Sequence, residues 1–125
     1  MLTSFILKKF IIYFRSLLNK IGIGINFSSD GEDSILYKWL GDISNGFYVD
    51  IGSHKPFYSS NTYGFYLNNW SGICIDPNPG LKLKYSLLRS SDLFINSAIV
   101  MKKKTNNNLF YYYKNNTDLN TFSRK

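Results

Sequence analysis

The segment GFYVDIGSHKPFYSSNTYGFYLNNWSGICID, residues 46–76, contains two short apolar runs that each lead to an acid. The first run, GFYVDIG (46–52), is β-rich and ends in Asp50 and Gly52, which predicts a buried strand that leads into a loop. The second run predicts a strand over 72–76, because the prolines that follow it cannot donate to a sheet ladder. Between them, Ser and Asn residues precede apolar residues at helical spacing and predict a helix from about Asn61 to Asn69. The segment therefore predicts a strand–helix–strand unit.

The flanking sequence extends the same alternation in both directions. Residues 32–41, EDSILYKWLG, have helical apolar spacing and acids at the start, and Gly41 is placed to end the helix. GLKLKYSLLRSS (80–91) predicts a further helix and DLFINSAIV (92–100) a third strand. This order predicts an α/β fold, a parallel sheet wound with helices. After a turn, LFYYYK (109–114) is a further strand candidate, antiparallel because its connection is too short for a crossover helix.

Length and composition limit the class of protein. The 125 residues suffice for one domain, and 44% hydrophobic residues indicate a globular chain. The net charge of +7 is uneven, with basic ends and an acidic middle, and the MKKKT run is better explained as a solvated turn than as a nucleic-acid site. The single cysteine, Cys74, excludes a disulfide framework or a cysteine zinc site and fits a reducing cytoplasm.

The first 22 residues predict a basic amphipathic helix. On a helical projection one side is polar and the other apolar. The polar side holds Lys8, Lys9, Arg15, Ser16, Asn19 and Lys20, and the apolar side holds Ile6, Leu7, Phe10, Ile11, Tyr13, Phe14, Leu17, Leu18 and Ile21. The interspersed cations argue against a spanning helix. Such a helix can pack on its own domain or on a partner, or lie in a membrane surface; of these, we expect an arrangement in which it stands off the sheet domain.

The strand ends carry the candidate binding residues. Ligands of doubly wound sheets lie beyond the carboxyl ends of the strands, where Asp50 and Gly52 fall. Gly52 would let a cofactor lie against the backbone, and Asp50 could accept hydrogen bonds from an ammonium group or a water. Asp76 lies 24 positions after Gly52, close to the offset at which an acid accepts the ribose hydroxyls of a nucleoside. Asn78 follows in the stiff loop and could lie over an adenine edge; turn and cap roles are the alternative for these residues.

The glycine content of the first loop distinguishes between the possible nucleoside cofactors. A dinucleotide site needs G-x-G-x-x-G so that a pyrophosphate reaches the helix N-terminus, whereas DIGSHKPFYSSN has one glycine followed by bulky residues. A nicotinamide dehydrogenase is therefore disfavoured. S-adenosylmethionine has no phosphates and needs room for an amino-acid tail and an acid for its ribose, which suits this loop better.

The motifs taken together resemble the FkbM family of S-adenosylmethionine-dependent methyltransferases. They are GED (31–33), FYVDIGSHKP (47–56), SNT (60–62), FY (65–66), WSGICIDPNP (70–79) and INSAI (95–99), with LNTFS (119–123) as an extension. The resemblance implies a class I methyltransferase fold and O-methylation of a small-molecule or sugar hydroxyl. It places Asp50 and Gly52 in the first cofactor motif and implies that Asp76 is the acid that binds the ribose. It also places Glu32 in the GED motif, although an acid at a helix N-terminus explains Glu32 equally well.

Two departures from the family pattern shape the remaining expectations. His54 fits its position loosely, and no residue is assigned as the catalytic base. The acidic D-x-E-G motif of a later strand is not found, so we expect an incomplete sheet and a chain that is marginally stable and inactive alone. The alternative is a non-catalytic remnant, binding a membrane surface or a partner, in which residues 1–22 carry the function.

Overall fold

A computed structural model describes residues 2–20, 25–99 and 110–111 of the chain. Four helices and three strands are arranged in the order α1 (Leu2–Lys20), α2 (Glu32–Leu40), β1 (Phe47–Ile51), α3 (Tyr63–Leu67), β2 (Ser71–Ile75), α4 (Leu81–Leu88) and β3 (Leu93–Ile95). The fold is α/β, as the alternation of apolar runs predicts.

The three strands form one parallel sheet in the order β1-β2-β3. Asp50 is paired with Cys74, which is paired with Phe94, so these three residues lie on one face of the sheet. Because β1 and β2 run in the same direction, their carboxyl ends meet at one edge, and Gly52 and Asp76 follow directly there.

The helices α3 and α4 pack on the same face of the sheet. One buried cluster joins Tyr63, Tyr66 and Leu67 of α3, and a second joins Cys74 of β2 with Leu81 and Tyr85 of α4. Tyr48 of β1 contacts both clusters, which places the two helices side by side over the sheet. This arrangement is compatible with one half of a doubly wound sheet.

Two positions beside this core require glycine because an aromatic ring lies against the backbone there. A Cβ at Gly72 would overlap the Tyr48 ring, and one at Gly46 would overlap the Trp70 ring. Tyr48 therefore packs against the backbone of the neighbouring strand, and its hydroxyl donates to the Asp92 carboxylate at 2.8 Å.

The other face of the sheet is apolar and exposed along β1 and β3. Phe47, Val49 and Ile51 of β1 are exposed, as are Leu93 and Ile95 of β3. Strands with apolar residues on both faces are typical of sheets with helices on both faces.

The N-terminal helix contacts the domain, so the expectation that it stands off is wrong. Ile11 packs against the α3 cluster, and the Lys8 ammonium lies 4.4 Å from the centre of the Tyr66 ring. Burial lowers the pKa of Lys8, and the nearby Asp92 carboxylate opposes that shift. Lys8, placed on the polar side of the helix, thus takes part in packing because an alkyl stem and a cation both suit an aromatic face. No helix in the described part of the chain has the length and apolarity needed to cross a bilayer.

The remaining elements agree with the sequence predictions apart from their ends. The helix expected at Asn61–Asn69 is shorter, because it begins after Thr62 and ends at Leu67, and Asn69 has a positive φ of 65°. The second strand begins and ends one residue earlier than predicted, so Asp76 follows it. The third strand is only three residues long. The turn at 101–108 and most of the 109–114 strand candidate lie outside the described residues; Tyr111 forms a β-bridge.

Candidate functional site

The loop after β1 is fastened to the end of β2. The backbone N–H groups of Gly52 and Ser53 both donate to the carbonyl of Ile75, at 2.8 and 3.2 Å. Gly52 has a φ of +74°, a left-handed conformation that favours glycine. A Cβ built on Gly52 would meet no atom within 4 Å. The backbone at Gly52 is therefore bare and faces open space.

Asp76 joins the two strand ends from the β2 side. Its Oδ2 accepts the backbone N–H of His54 at 3.0 Å, and its Oδ1 accepts that of Asn78 at 2.8 Å. The residue is only 4% exposed. A carboxylate oxygen can accept two hydrogen bonds, so one acceptor position on each Asp76 oxygen remains for a further donor. Asp76 thus fixes the loop that follows Gly52, a role that the sequence does not reveal.

Asn78 is buried and lies in a loop that is held from β3. The side-chain amide of Asn96 donates to the carbonyls of Asp76 and Asn78, at 2.8 and 2.9 Å. Asn96 follows β3 directly, so all three strand ends contribute to one edge. Sequence reasoning missed this role; the one available signal was a polar residue directly after the third strand.

Asp50 is partly buried and points toward the helices. The hydroxyl of Thr62 donates to Asp50 Oδ2 at 2.7 Å, and Thr62 Oγ1 in turn accepts from Arg89 Nη2 at 2.9 Å. Thr62 precedes α3 but its side chain does not cap the helix, because its hydroxyl donates to Asp50 of β1 instead. One of the two Asp50 carboxylate oxygens is thereby fixed toward the domain interior.

Arg89 is the centre of a buried polar network that sequence analysis did not predict. It is fully buried, and its Nε lies 2.6 Å from Asp92 Oδ2. Its two terminal nitrogens donate to the hydroxyl of Tyr48 at 2.6 Å, to Ser60 Oγ at 3.2 Å and to the carbonyl of Pro56 at 3.3 Å. The network therefore ties the loop after β1, the start of α3 and the start of β3 to the end of α4.

Three tyrosine rings surround this guanidinium. Its central carbon lies 5.4 Å from the ring centres of Tyr48, Tyr66 and Tyr85. Aromatic faces and five satisfied or nearly satisfied donors are the conditions under which a buried arginine is tolerated. The network thus holds the loop after β1 from the interior of the domain, through the Pro56 carbonyl and the Ser60 hydroxyl.

The structure does not bring Glu32 into this group. Glu32 is exposed at the start of α2, and its carboxylate accepts the backbone N–H of Asp30 at 3.2 Å. A hydrogen bond from its own backbone N–H, followed by bonds from Ser28 and Asp30, lowers the pKa of its carboxyl. The buried acid of the GED motif is Asp33, which accepts the backbone N–H of Phe27 and the hydroxyl of Ser28. Both acids thus organise the chain before α2.

Two further residues of the β1 loop have unusual environments. His54 has a positive φ of 46°, so the loop holds a residue with a side chain in a strained conformation. Ser53 is buried, and its Oγ has no hydrogen-bond partner among the described residues. A buried hydroxyl with unused hydrogen-bonding capacity, directly after the bare Gly52 backbone, is a feature that a bound ligand would explain.

A separate cleft of about 590 Å³ lies between the chain before α2 and the later part of the β1 loop. It is lined by residues 26–29 and 57–59. Asp50, Gly52 and Asp76 do not line it, so this cleft and the strand-end edge are distinct surfaces.

The edge as a whole offers the open backbone at Gly52, the carboxylates of Asp50 and Asp76, and the buried Asn78. Such a site suits a ligand that brings its own cation and hydroxyl donors. No family model, curated protein or solved structure matches the chain.

Proposed function

We propose that the chain is the cofactor-binding part of an S-adenosylmethionine-dependent O-methyltransferase of the FkbM type. The observation that carries the proposal is the meeting of Gly52 and Asp76 at one edge of a parallel sheet, joined by the hydrogen bond from His54 N to Asp76. The motifs shared with the family fall on these same strand ends. The parallel sheet and its two packed helices are compatible with the first half of a class I methyltransferase sheet.

The residues present fit the cofactor in several respects. The open space at Gly52 admits a ligand directly against the backbone, and the unused Ser53 hydroxyl lies in the same loop. The remaining acceptor positions of Asp76 would take ribose hydroxyls, and Asn78 would lie at the adenine end. Asp50 would orient the amino group of the methionine part. Glu32 stays a less direct candidate, since its recorded hydrogen bonds are local.

The same features argue against a dinucleotide. A pyrophosphate needs bare backbone N–H groups at a helix N-terminus. Here the N–H groups of Gly52, Ser53 and His54 are already donated to the end of β2. α3 has only five residues, and ten residues separate it from Gly52.

The cofactor supplies an electrophilic methyl group on a sulfonium, and the chain supplies its orientation. Transfer is an in-line displacement, so rate depends on how the cofactor and an acceptor oxygen are held. Asp76 and the Arg89 network hold the loop geometry on which that orientation depends. The proposed acceptor is a small-molecule or sugar hydroxyl, and no described residue is assigned as its base.

Backbone NMR of the isotope-labelled chain tests the proposal by location. S-adenosylmethionine should shift the amide signals of Gly52, Ser53, His54 and Asn78, while distant signals such as those of α2 stay in place. NAD⁺ at the same concentration should leave the loop signals unchanged. Shifts confined to the cleft at residues 26–29 and 57–59, or no shifts in a folded chain, would reject the proposal.

A further inference from the structure

The first helix presents an apolar stripe that the described part of the domain does not cover. The stripe consists of the exposed side chains Ile6, Leu7, Phe10, Tyr13, Phe14 and Leu17. At 100° per residue these six positions fall within an arc of about 120°. Phe10 and Tyr13 are 65% and 71% exposed, and the rings of Phe10 and Phe14 stack with centres 6.3 Å apart.

The contacts of α1 with the domain lie outside this arc. Ile11 packs on the α3 cluster and Lys8 covers the Tyr66 ring, so the helix touches the domain along one flank. The helix is thus held in place while its most apolar side faces outward. A continuous exposed row of six large apolar residues is unusual and marks an interaction surface.

Charge identifies the partner. The sequence of α1 contains Lys8, Lys9, Arg15 and Lys20 and no acid, while residues 23–81 carry a net charge of −4. Lys9 is exposed beside the stripe. A helix with Phe, Leu and Tyr on one side and only cations as charges suits the boundary between anionic headgroups and acyl chains. A protein groove would need acidic complementarity along the helix, whereas an anionic bilayer supplies it everywhere.

We infer that α1 docks the chain on an anionic membrane surface, with the apolar stripe inserted at the headgroup boundary and the α/β domain held beside it. This interaction goes beyond the proposed methyl transfer and does not depend on it. The acidic middle of the chain would be repelled by the same surface, which favours an orientation in which α1 alone enters the membrane.

Vesicle co-sedimentation of the full chain tests the inference with a matched pair of variants. Phe10→Ser with Phe14→Ser removes two stripe residues one helical turn apart. Ile35→Ser with Trp39→Ser removes two equally spaced residues, 58% and 74% exposed, from α2. On vesicles of phosphatidylcholine with about a quarter phosphatidylglycerol, the wild-type chain and the α2 pair should bind, and the stripe pair should bind at least about tenfold more weakly. Vesicles of phosphatidylcholine alone should retain little of any variant.

A tryptophan scan gives a second measurement, whose result a loss of folding would not reproduce. Bromine-labelled acyl chains should quench a tryptophan introduced by Phe10→Trp but not one introduced by Ile12→Trp, because position 12 lies on the opposite side of the helix. Equal quenching at both positions, or equal binding by all variants, would overturn the inference. A third result would also overturn it: a folded wild-type chain that does not bind vesicles but forms a dimer, with the dimer lost in the Phe10→Ser, Phe14→Ser variant. A second copy of the chain would then cover the stripe.

Discussion

Thr62 Oγ1 lies 2.7 Å from Asp50 Oδ2 and donates its hydroxyl proton to that carboxylate. The same hydroxyl oxygen accepts from Arg89, so one side chain joins a candidate cofactor residue to the buried polar network. The orientation of Asp50 is therefore set from inside the domain, by residues 12 and 39 positions away in the chain.

Replacing Thr62 by valine should remove this link without changing the side-chain shape. Asp50 and Arg89 would each lose a partner in a partly buried setting, and we expect a loss of about 1–3 kcal/mol in the free energy of unfolding. Thr62→Ser keeps the hydroxyl and should retain most of the stability. Urea denaturation of the three proteins measures the difference; equal loss in the serine and valine variants would show that the methyl group, not the hydroxyl, matters.

Alanine at Gly52 should cost stability and block the cofactor. The positive φ makes a side chain unfavourable there by about 1–2 kcal/mol, and the new methyl would occupy the space against the backbone. Gly80 is the matched control, because it has a φ of +82° and equally open surroundings. Both variants should lose similar stability by thermal denaturation, but only Gly52→Ala should lose S-adenosylmethionine binding. Unchanged binding by a folded Gly52→Ala chain would remove Gly52 from the site.

Asp76 should contribute to both folding and binding. In Asp76→Ala, the N–H groups of His54 and Asn78 lose their acceptor, at about 1–3 kcal/mol for each buried donor. Asn96→Ala loosens the same loop but leaves the carboxylate intact. Under conditions where both variants remain folded, calorimetry should show cofactor binding only by Asn96→Ala. Comparable affinity in the two variants would assign Asp76 a purely structural role.

Alkaline pH should destabilise the fold through buried acids that stay protonated. Burial raises the pKa of the Cys74 thiol from 9.0 to about 12, and burial also raises the pKa of Tyr48, Tyr63 and Tyr85 above 10.0. Above pH 9 the unfolded chain loses protons that the folded chain keeps, so the free energy of unfolding falls as the pH rises through this window. Urea midpoints from about pH 8 to about pH 11, with tyrosine ionisation followed by absorbance, measure the effect. A midpoint that stays constant would contradict the burial of these groups.

The sequence predicted the parallel sheet, and the meeting of its strand ends at one edge, because both depend on local patterns. Apolar runs that end in Asp50 and Asp76 identify parallel strands, and chain direction alone then brings their ends together. The shorter third strand was not predictable in the same way. Asn96 leaves the ladder to bind the loop after β2, a contact between residues 18 and 20 positions apart.

The support of the site could not be predicted because it depends on long-range side-chain geometry. Arg89 lies at the end of a helix whose spacing shows only an amphipathic pattern, yet it contacts residues 27 to 41 positions earlier. Lys8 illustrates the converse case. Its charge led us to place it on the polar side of α1, but in the structure Lys8 packs against the Tyr66 ring of α3.

Isothermal titration of the folded 125-residue chain with S-adenosylmethionine tests the central claim most directly. The account predicts saturable binding at one site, competition by S-adenosylhomocysteine, which has the same nucleoside and amino-acid parts, and no binding of NAD⁺. Absence of heat at high cofactor concentration with a chain shown to be folded, or preferential binding of NAD⁺, would contradict it.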